Sequence, residues 1–466
     1  MTPKPNDLTR RSVAAGLAAT LRPLGHLQAS PEQTGAARAL TAAPVRRRLK
    51  PEPAVEAELW AFNGEIPGPV IRVRRGEDVR LAVRNDVPRP LSLHFHGVRG
   101  AAAMDGVGGF SQQPIRTGDT FEYRFTPPDA GTFLIRPLVI GGSSELSERG
   151  LSATLIVEER EPPPLDHEFV LVVDDWRLEP DGALAPFGAP LEAATGGRLG
   201  NWLGVNAKDA PARLALPPGS RVRLRLLNAC NARSMRIRFD DLKLYVIAVD
   251  GQPTDTFEPL RSTLPFAPGS RYDLLLDLPS EPGAVGHVMA LIGEGVPLVT
   301  LATEGDALKR PALPAIAALP ANKLLPPGIR LQDAVRKDVS IAGGAKRGPD
   351  GRPVLEGDPK KIWTMNGAAG SASSAPLVSV KRGSPVVLTI VNQTPAIQPI
   401  HLHGHVFRLL HPFDDGWEPY WIDTLQVPEG RTVRIAFTAD NPGRWLLSST
   451  VLERFDTGLW TWFEVT

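Results

Sequence analysis

Apolar and polar residues alternate along most of the chain. From Pro53 onward the alternation has the period of two that half-buried strands require, because successive side chains of a strand point to opposite faces. Ile71 to Asn85 (IRVRRGEDVRLAVRN) is a short alternating run, a charged turn at Arg75-Gly76-Glu77 and a longer run ending in Asn. The same phrase returns at Leu214 to Asn228 (LALPPGSRVRLRLLN) and at Val378 to Asn392 (VSVKRGSPVVLTIVN). The copies lie about 140 to 165 residues apart, a domain length rather than a solenoid period. Three copies of one β unit predict an all-β chain of three related Greek-key sandwich or barrel domains in tandem. The domains are expected at 46–160, 165–305 and 335–466. A Pro-rich joint (EREPPPLD) follows the first, and 306–334, rich in Ala, Leu and Pro without alternation, reads as a surface linker. Short turns of helix are expected at Ser144 to Glu148 and Leu331 to Lys337.

Composition sharpens this picture. The 44 Gly and 47 Pro residues are about a fifth of the chain against a usual ~12%, as many short strands and tight turns require. Lys plus Arg (52) balance Asp plus Glu (51), which leaves no electrostatic footprint for nucleic acid. The single cysteine, Cys230, excludes an intramolecular disulfide framework and Cys-rich zinc or iron–sulfur sites. Residues 1–45 read as an export signal and disordered tail. Thr9-Arg10-Arg11-Ser12, followed by the small apolar run Val13 to Leu21, resembles a twin-arginine signal and predicts a periplasmic location. Ala37-Arg38-Ala39 and the alanines near Ala29 and Ala43 are candidate cleavage points. No later run is long and apolar enough for a membrane-spanning helix.

Five of the nine histidines fall in two clusters, His94-Phe95-His96-Gly97 and His401-Leu402-His403-Gly404-His405. Residues i and i+2 of a strand share a face, so each His-x-His pair presents two imidazoles side by side. Neutral imidazole suits copper, zinc, iron and nickel. Two such pairs, in matching places of two repeated β domains, mark His94, His96, His401 and His403 as metal-ligand candidates. His405, His411, His167, His287 and His26 are read as structural or incidental.

These residues, with Asn63 to Pro69 (NGEIPGP), Met104-Asp105-Gly106-Val107, Val249-Asp250-Gly251, Trp421-Ile422-Asp423-Thr424 and Ala439 to Gly443 (ADNPG), resemble the multicopper oxidases, laccase-like proteins of three cupredoxin domains. The resemblance covers almost the whole mature length. It implies a type 1 copper held by two His, a Cys and usually a Met, and a three-copper cluster held by four His-x-His pairs. The chain departs from that pattern at many ligands. Arg136 and Leu138 stand in the second His-x-His pair. Gln398 replaces the first His of the third motif. Ser448, Ser449 and Thr450 replace His-Cys-His, and Arg454 and Leu459 stand at the last type 1 positions. The surviving His94 and His401 match the type 2 pair, and His96 and His403 match two type 3 ligands. Asp105 matches an acidic residue that helps proton delivery.

Three readings follow. The chain is a copper-free scaffold, similar to the cell-division-associated periplasmic members of the family, with a protein partner. Or it holds one type 2-like copper at the four histidines and lacks type 1 copper. Or it is an ordinary copper-dependent oxidoreductase acting on a small reductant. A monomer that does not span the membrane is expected in each case.

Overall fold

The computed structural model describes residues 37–466, apart from 312, 413 and 415. The Arg10-Arg11 segment and the alanines near Ala29 lie outside the described residues. The chain is nearly all β, 6% helix and 46% strand, in three domains that each enclose a core between two sheets.

Each repeated phrase makes the same structural move. Its short strand (Val70–Arg74, Ala212–Leu216, Ser379–Val380) lies in one sheet of its domain, and its long strand (Val79–Asn85, Arg221–Asn228, Ser384–Asn392) lies in the other. The short strand runs parallel to the last strand of the domain, and the long strand parallel to the first. The intervening turn therefore crosses the sandwich. The terminal Asn also repeats its role. Asn85, Asn228 and Asn392 are buried, and each side-chain amide donates to backbone carbonyls while its oxygen accepts the N–H two residues on. This Asx turn satisfies the loop that leaves the sheet.

The first strand, Arg38–Arg47, begins inside the stretch expected to be tail. It pairs with Ala57–Phe62 and Val79–Asn85, and Leu40 and Ala42 are buried in the domain 1 core. A cut at Ala39 or Ala43 would remove part of this strand. Residues 306–334 carry no regular element before a 3-10 turn at Leu331–Asp333, yet the segment is pinned. Leu319 packs on Ile247 and Leu275, and Asn322 donates to Asp129 and Gln252. The expected turn at Ser144 to Glu148 is the helix Ser143–Glu148; the one at Leu331 to Lys337 is the 3-10 turn Leu331–Asp333, followed by the strand Val335–Gly343, whose Val339 and Ile341 face the core.

Ion pairs such as Arg99–Asp440 and Arg198–Glu148 join two domains, and one pair sits where all three meet. Arg271, on the domain 2 strand Arg271–Asp277, is fully buried and grips Asp423 of domain 3 with both Nη atoms, at 3.0 and 2.5 Å. Its Nε donates to the Thr132 carbonyl of domain 1 at 3.2 Å. Gly97 of domain 1 has φ +92°, and a Cβ there would come 2.1 Å from Arg271 Nη2. Asp250 joins the clamp by accepting the backbone N–H groups of Arg271, Asp423 and Thr424.

Arg271→Leu strands the Asp423 carboxylate in the interior and is expected to cost about 3–5 kcal/mol, read as a lower denaturation midpoint. The double variant Arg271→Leu/Asp423→Asn should lose less than the sum of the two single losses. Additive losses would show that the pair does not tie the domains together.

Candidate metal centre

Two sheets bring the histidines face to face. In domain 1, Leu93–His96 pairs with Gly131–Pro137, which sets His94 opposite Arg136 and His96 opposite Leu134. In domain 3, Gln398–Leu402 pairs with Gly443–Ser449, which sets His401 opposite Ser448. All four imidazoles are buried. His96 stacks on His401 with ring centroids 3.7 Å apart, and His94 lies 4.3 Å from His403. The structure thus gathers the four residues that the two motifs single out.

Their tautomers follow from partners that can only accept. His94 Nδ1–H donates to the Asp105 carbonyl at 2.7 Å, with the Asp105 carboxylate 3.3 Å away. His401 Nδ1–H donates to the Asp423 carbonyl at 2.9 Å. His403 Nδ1–H donates to the Asp105 carboxylate at 2.9 Å. The Thr424 hydroxyl donates to Asp423 at 2.8 Å, the stronger charge-assisted choice. His96 Nε2–H therefore donates to the Thr424 oxygen, also at 2.8 Å. Each ring keeps one lone pair. That of His403 Nε2 accepts from the Ser448 hydroxyl at 3.0 Å. Those of His94 Nε2, His96 Nδ1 and His401 Nε2 are buried without a partner among the described residues. One ligand atom from each of these three rings lies within 4.8 Å of the others.

Burial lowers His96 and His401, and lowers His403 to about 3, below the usual histidine range. Burial would raise Asp105, but the facing His403 and His94 outweigh it and hold the carboxyl below its usual range. Asp423 is likewise held low, by the Arg271 charge and the His401 hydrogen bond against its burial.

The substituted positions fill differently. Arg136 is buried, forms no ion pair among the described residues and donates only to the Thr450 carbonyl, at 3.4 Å. Burial and the Arg271 charge lower it to about 10, so it remains cationic. Leu138 packs with Val107, Leu446 and Leu452. Arg454 donates to the Gln398 side chain at 2.8 Å and to the Ile397 and Thr195 carbonyls, and lies over the Trp363 ring. Ser449 accepts the Val451 N–H, and Leu459 is fully buried. Cys230 sits in the domain 2 core beside Asp174 and Asp175, and burial raises its thiol. His405 is packed among Phe437, Trp445 and Phe463 with both ring nitrogens partnered, as a structural histidine should be.

Sequence reasoning singled out the imidazoles but not what holds them. Asp423 and Thr424 lie in a recognisable phrase, yet nothing local shows that they reach His96 and His401, or that Asp250 holds them in place. Ser448 reads as a lost ligand and proves to be the hydroxyl that occupies His403. A cavity of about 580 Å³ lies beside Glu453 and Asp456, between Ile140, Phe187 and Arg198.

Residues 45–162, 173–286 and 347–466 each match the multicopper oxidase family. The multicopper oxidase MmcO of Mycobacterium tuberculosis is 29% identical over 83% of this chain and 79% of its own length. The cell division protein FtsP of Proteus mirabilis is 29% identical over 88% of this chain and 86% of its own length. A multi-copper oxidase structure from Pseudomonas thermotolerans superposes with a TM-score of 0.81 at 32% identity, covering 92% of this chain and 99% of that one. No helix among the described residues is long and apolar enough to cross a membrane. With all three domains matched and the two His-x-His strands face to face between the first and third, the chain belongs to the multicopper oxidase family.

Proposed function

We propose that this protein is a multicopper oxidase scaffold that retains one type 2-like copper site, at His94, His96 and His401, and does not perform four-copper oxidase chemistry. The observation that carries the reading is the set of three buried, unpartnered ring nitrogens. Their tautomers are fixed by Asp105, Asp423 and Thr424, and their lone pairs are left free. A ligating histidine normally donates its other ring N–H to a carbonyl or carboxylate, as His94 and His401 do here. Neutral imidazoles suit copper, and a bound ion would supply one-electron redox chemistry and Lewis acidity. His403 is a fourth candidate ligand, blocked by the Ser448 hydroxyl. Asp105, at the position of an acidic residue that aids proton delivery in the family, turns its two oxygens to His94 and His403.

The other copper positions do not fit their metals. A blue copper centre needs a Cys thiolate. Ser449 stands in its place, with Gln398, Arg454 and Leu459 closing the site around a guanidinium–amide hydrogen bond. Arg136 and Arg454 are fixed cations at positions where the family resemblance places histidines, so neither can serve as a ligand there. One centre cannot supply the four electrons that reduce dioxygen to water. The Arg10-Arg11 signal supports a periplasmic location. The likeness to FtsP favours a second role, as a scaffold with a protein partner in the envelope.

Protein incubated with Cu(II) and desalted should hold about one copper per chain with a type 2 paramagnetic resonance signal and no intense thiolate charge-transfer band. His94→Ala/His401→Ala should lose the ion, and a wild-type chain that stays copper-free would sink the reading. Ser448→Ala uncaps His403, so copper should bind more tightly with an altered hyperfine pattern; an unchanged spectrum would remove His403 from the site. Turnover of phenols and of Cu(I) should not exceed that of free copper. Efficient oxidation by the loaded protein would restore the ordinary oxidase reading.

A further inference from the structure

The unpartnered atoms around the centre are of two kinds. On one side are the lone pairs of His94 Nε2, His96 Nδ1 and His401 Nε2, which call for a cation. On the other are two buried groups with hydrogens to give, Arg136 Nε and the Thr450 hydroxyl, also unpartnered among the described residues. Register places the second set beside the first. Arg136 lies directly opposite His94 in an antiparallel pair, where facing side chains share one side of the sheet. Its charge is felt at His96. Thr450 lies just past the end of the strand Gly443–Ser449 that carries Ser448. Arg136 Nη1 donates to the Thr450 carbonyl, which ties the two donors together.

Arg136 is unusual in a second way. The other buried arginines of the domain 1–2 junction, Arg223, Arg225 and Arg271, each have a carboxylate within 3 Å. Arg136 is 3% exposed and has none among the described residues. A buried charge without a counter-charge is costly, and its N–H groups are strong donors aimed at an acceptor the protein itself does not provide. A metal alone would satisfy the lone pairs and leave the donors unmet. A small monoanion bound to that metal would satisfy both sets.

We propose that Arg136 and Thr450 form an anion-binding half-site, which holds a small monoanion against the ion carried by His94, His96 and His401. The proposal rests on the single-copper reading above, and its test separates the two. Arg136 acts as a positioning residue. It supplies the counter-charge and a directed hydrogen bond to the anion, and Thr450 supplies a second bond.

The experiment uses the full-length chain loaded with Cu(II) and titrated with azide. Copper content is measured by metal analysis, and azide binding by the azide-to-copper charge-transfer band and the shift of the resonance spectrum. Wild type should bind one azide per copper. Arg136→Leu should hold the same copper but bind azide about tenfold more weakly or worse, the loss expected for a charged hydrogen bond. Arg136→Lys should recover part of the affinity, and Thr450→Val should show a smaller loss. Removal of a buried, unpaired guanidinium is not expected to unfold the chain. If Arg136→Leu binds azide as tightly as wild type at equal copper content, the anion half-site is wrong while the copper site stands. If wild type takes up no copper, both fall together.

Discussion

The Arg271–Asp423 pair is the constraint on which the junction of the three domains depends. Both groups are fully out of water, so neither charge is tolerable without the other. Arg271 comes from domain 2 and Asp423 from domain 3, while the Thr132 carbonyl and the bare backbone of Gly97 complete the pocket from domain 1. A Cβ at residue 97 would overlap the guanidinium, so the domains can close to this distance only around glycine. Asp423 then passes the order on. Its carbonyl fixes His401, and its carboxylate takes the Thr424 hydroxyl that turns His96. His401 and His96 are thus oriented by residues of the Arg271–Asp423 clamp, while Asp105 orients His94 and His403.

The substitutions also have a charge logic. Arg136 and Arg454 put permanent cations where the family resemblance places neutral imidazole ligands, and each is held by carbonyl or amide oxygens rather than by a carboxylate. Two unit charges 4 Å apart interact by about 4 kcal/mol at an effective dielectric of 20. A guanidinium standing at a ligand position therefore removes that ligand and disfavours a cation in its place. The effect is local. The Arg454 end is sealed by Gln398, Leu459 and the Trp363 face. At the Arg136 end, three lone pairs remain within reach, and Asp105 and Asp423 lend negative charge from behind the rings.

Much of the architecture was legible because it rests on local periodicity. The three repeated phrases show alternation, turn and terminal Asn in the sequence itself, and each becomes a sheet-crossing pair of strands with the same Asx turn. The edge of domain 1 was less legible. Arg38–Arg47 has only Leu40 and Ala42 facing inward, too few apolar residues in an Ala- and Arg-rich stretch to outweigh its likeness to a tail. The four imidazoles could be found by motif, since His-x-His fixes two rings on one face. What holds them could not, because His403 reaches Asp105 across 298 residues and His96 reaches Thr424 across 328. Contacts at such separation leave no pattern in a single sequence. The distinction between His403, whose lone pair is taken by Ser448, and its three neighbours is of this kind.

Whether buried histidines only pack or are arranged to receive something can be argued from their hydrogen bonds. His405 serves as an internal reference. It is as deeply buried as the others, lies two residues from His403 and uses both ring nitrogens, one toward the His403 carbonyl and one toward the Asn441 N–H. Packing alone therefore allows an imidazole in this sheet to be satisfied. His94, His96 and His401 each leave a buried acceptor open, at a cost of about 1–3 kcal/mol per group. All three open atoms belong to rings that crowd the same few ångströms, while the opposite nitrogens are pinned by groups that only accept. Independent packing defects would scatter rather than converge. The crowding of the three open rings supports the proposed cation site and separates them from His405, whose ring nitrogens are both partnered.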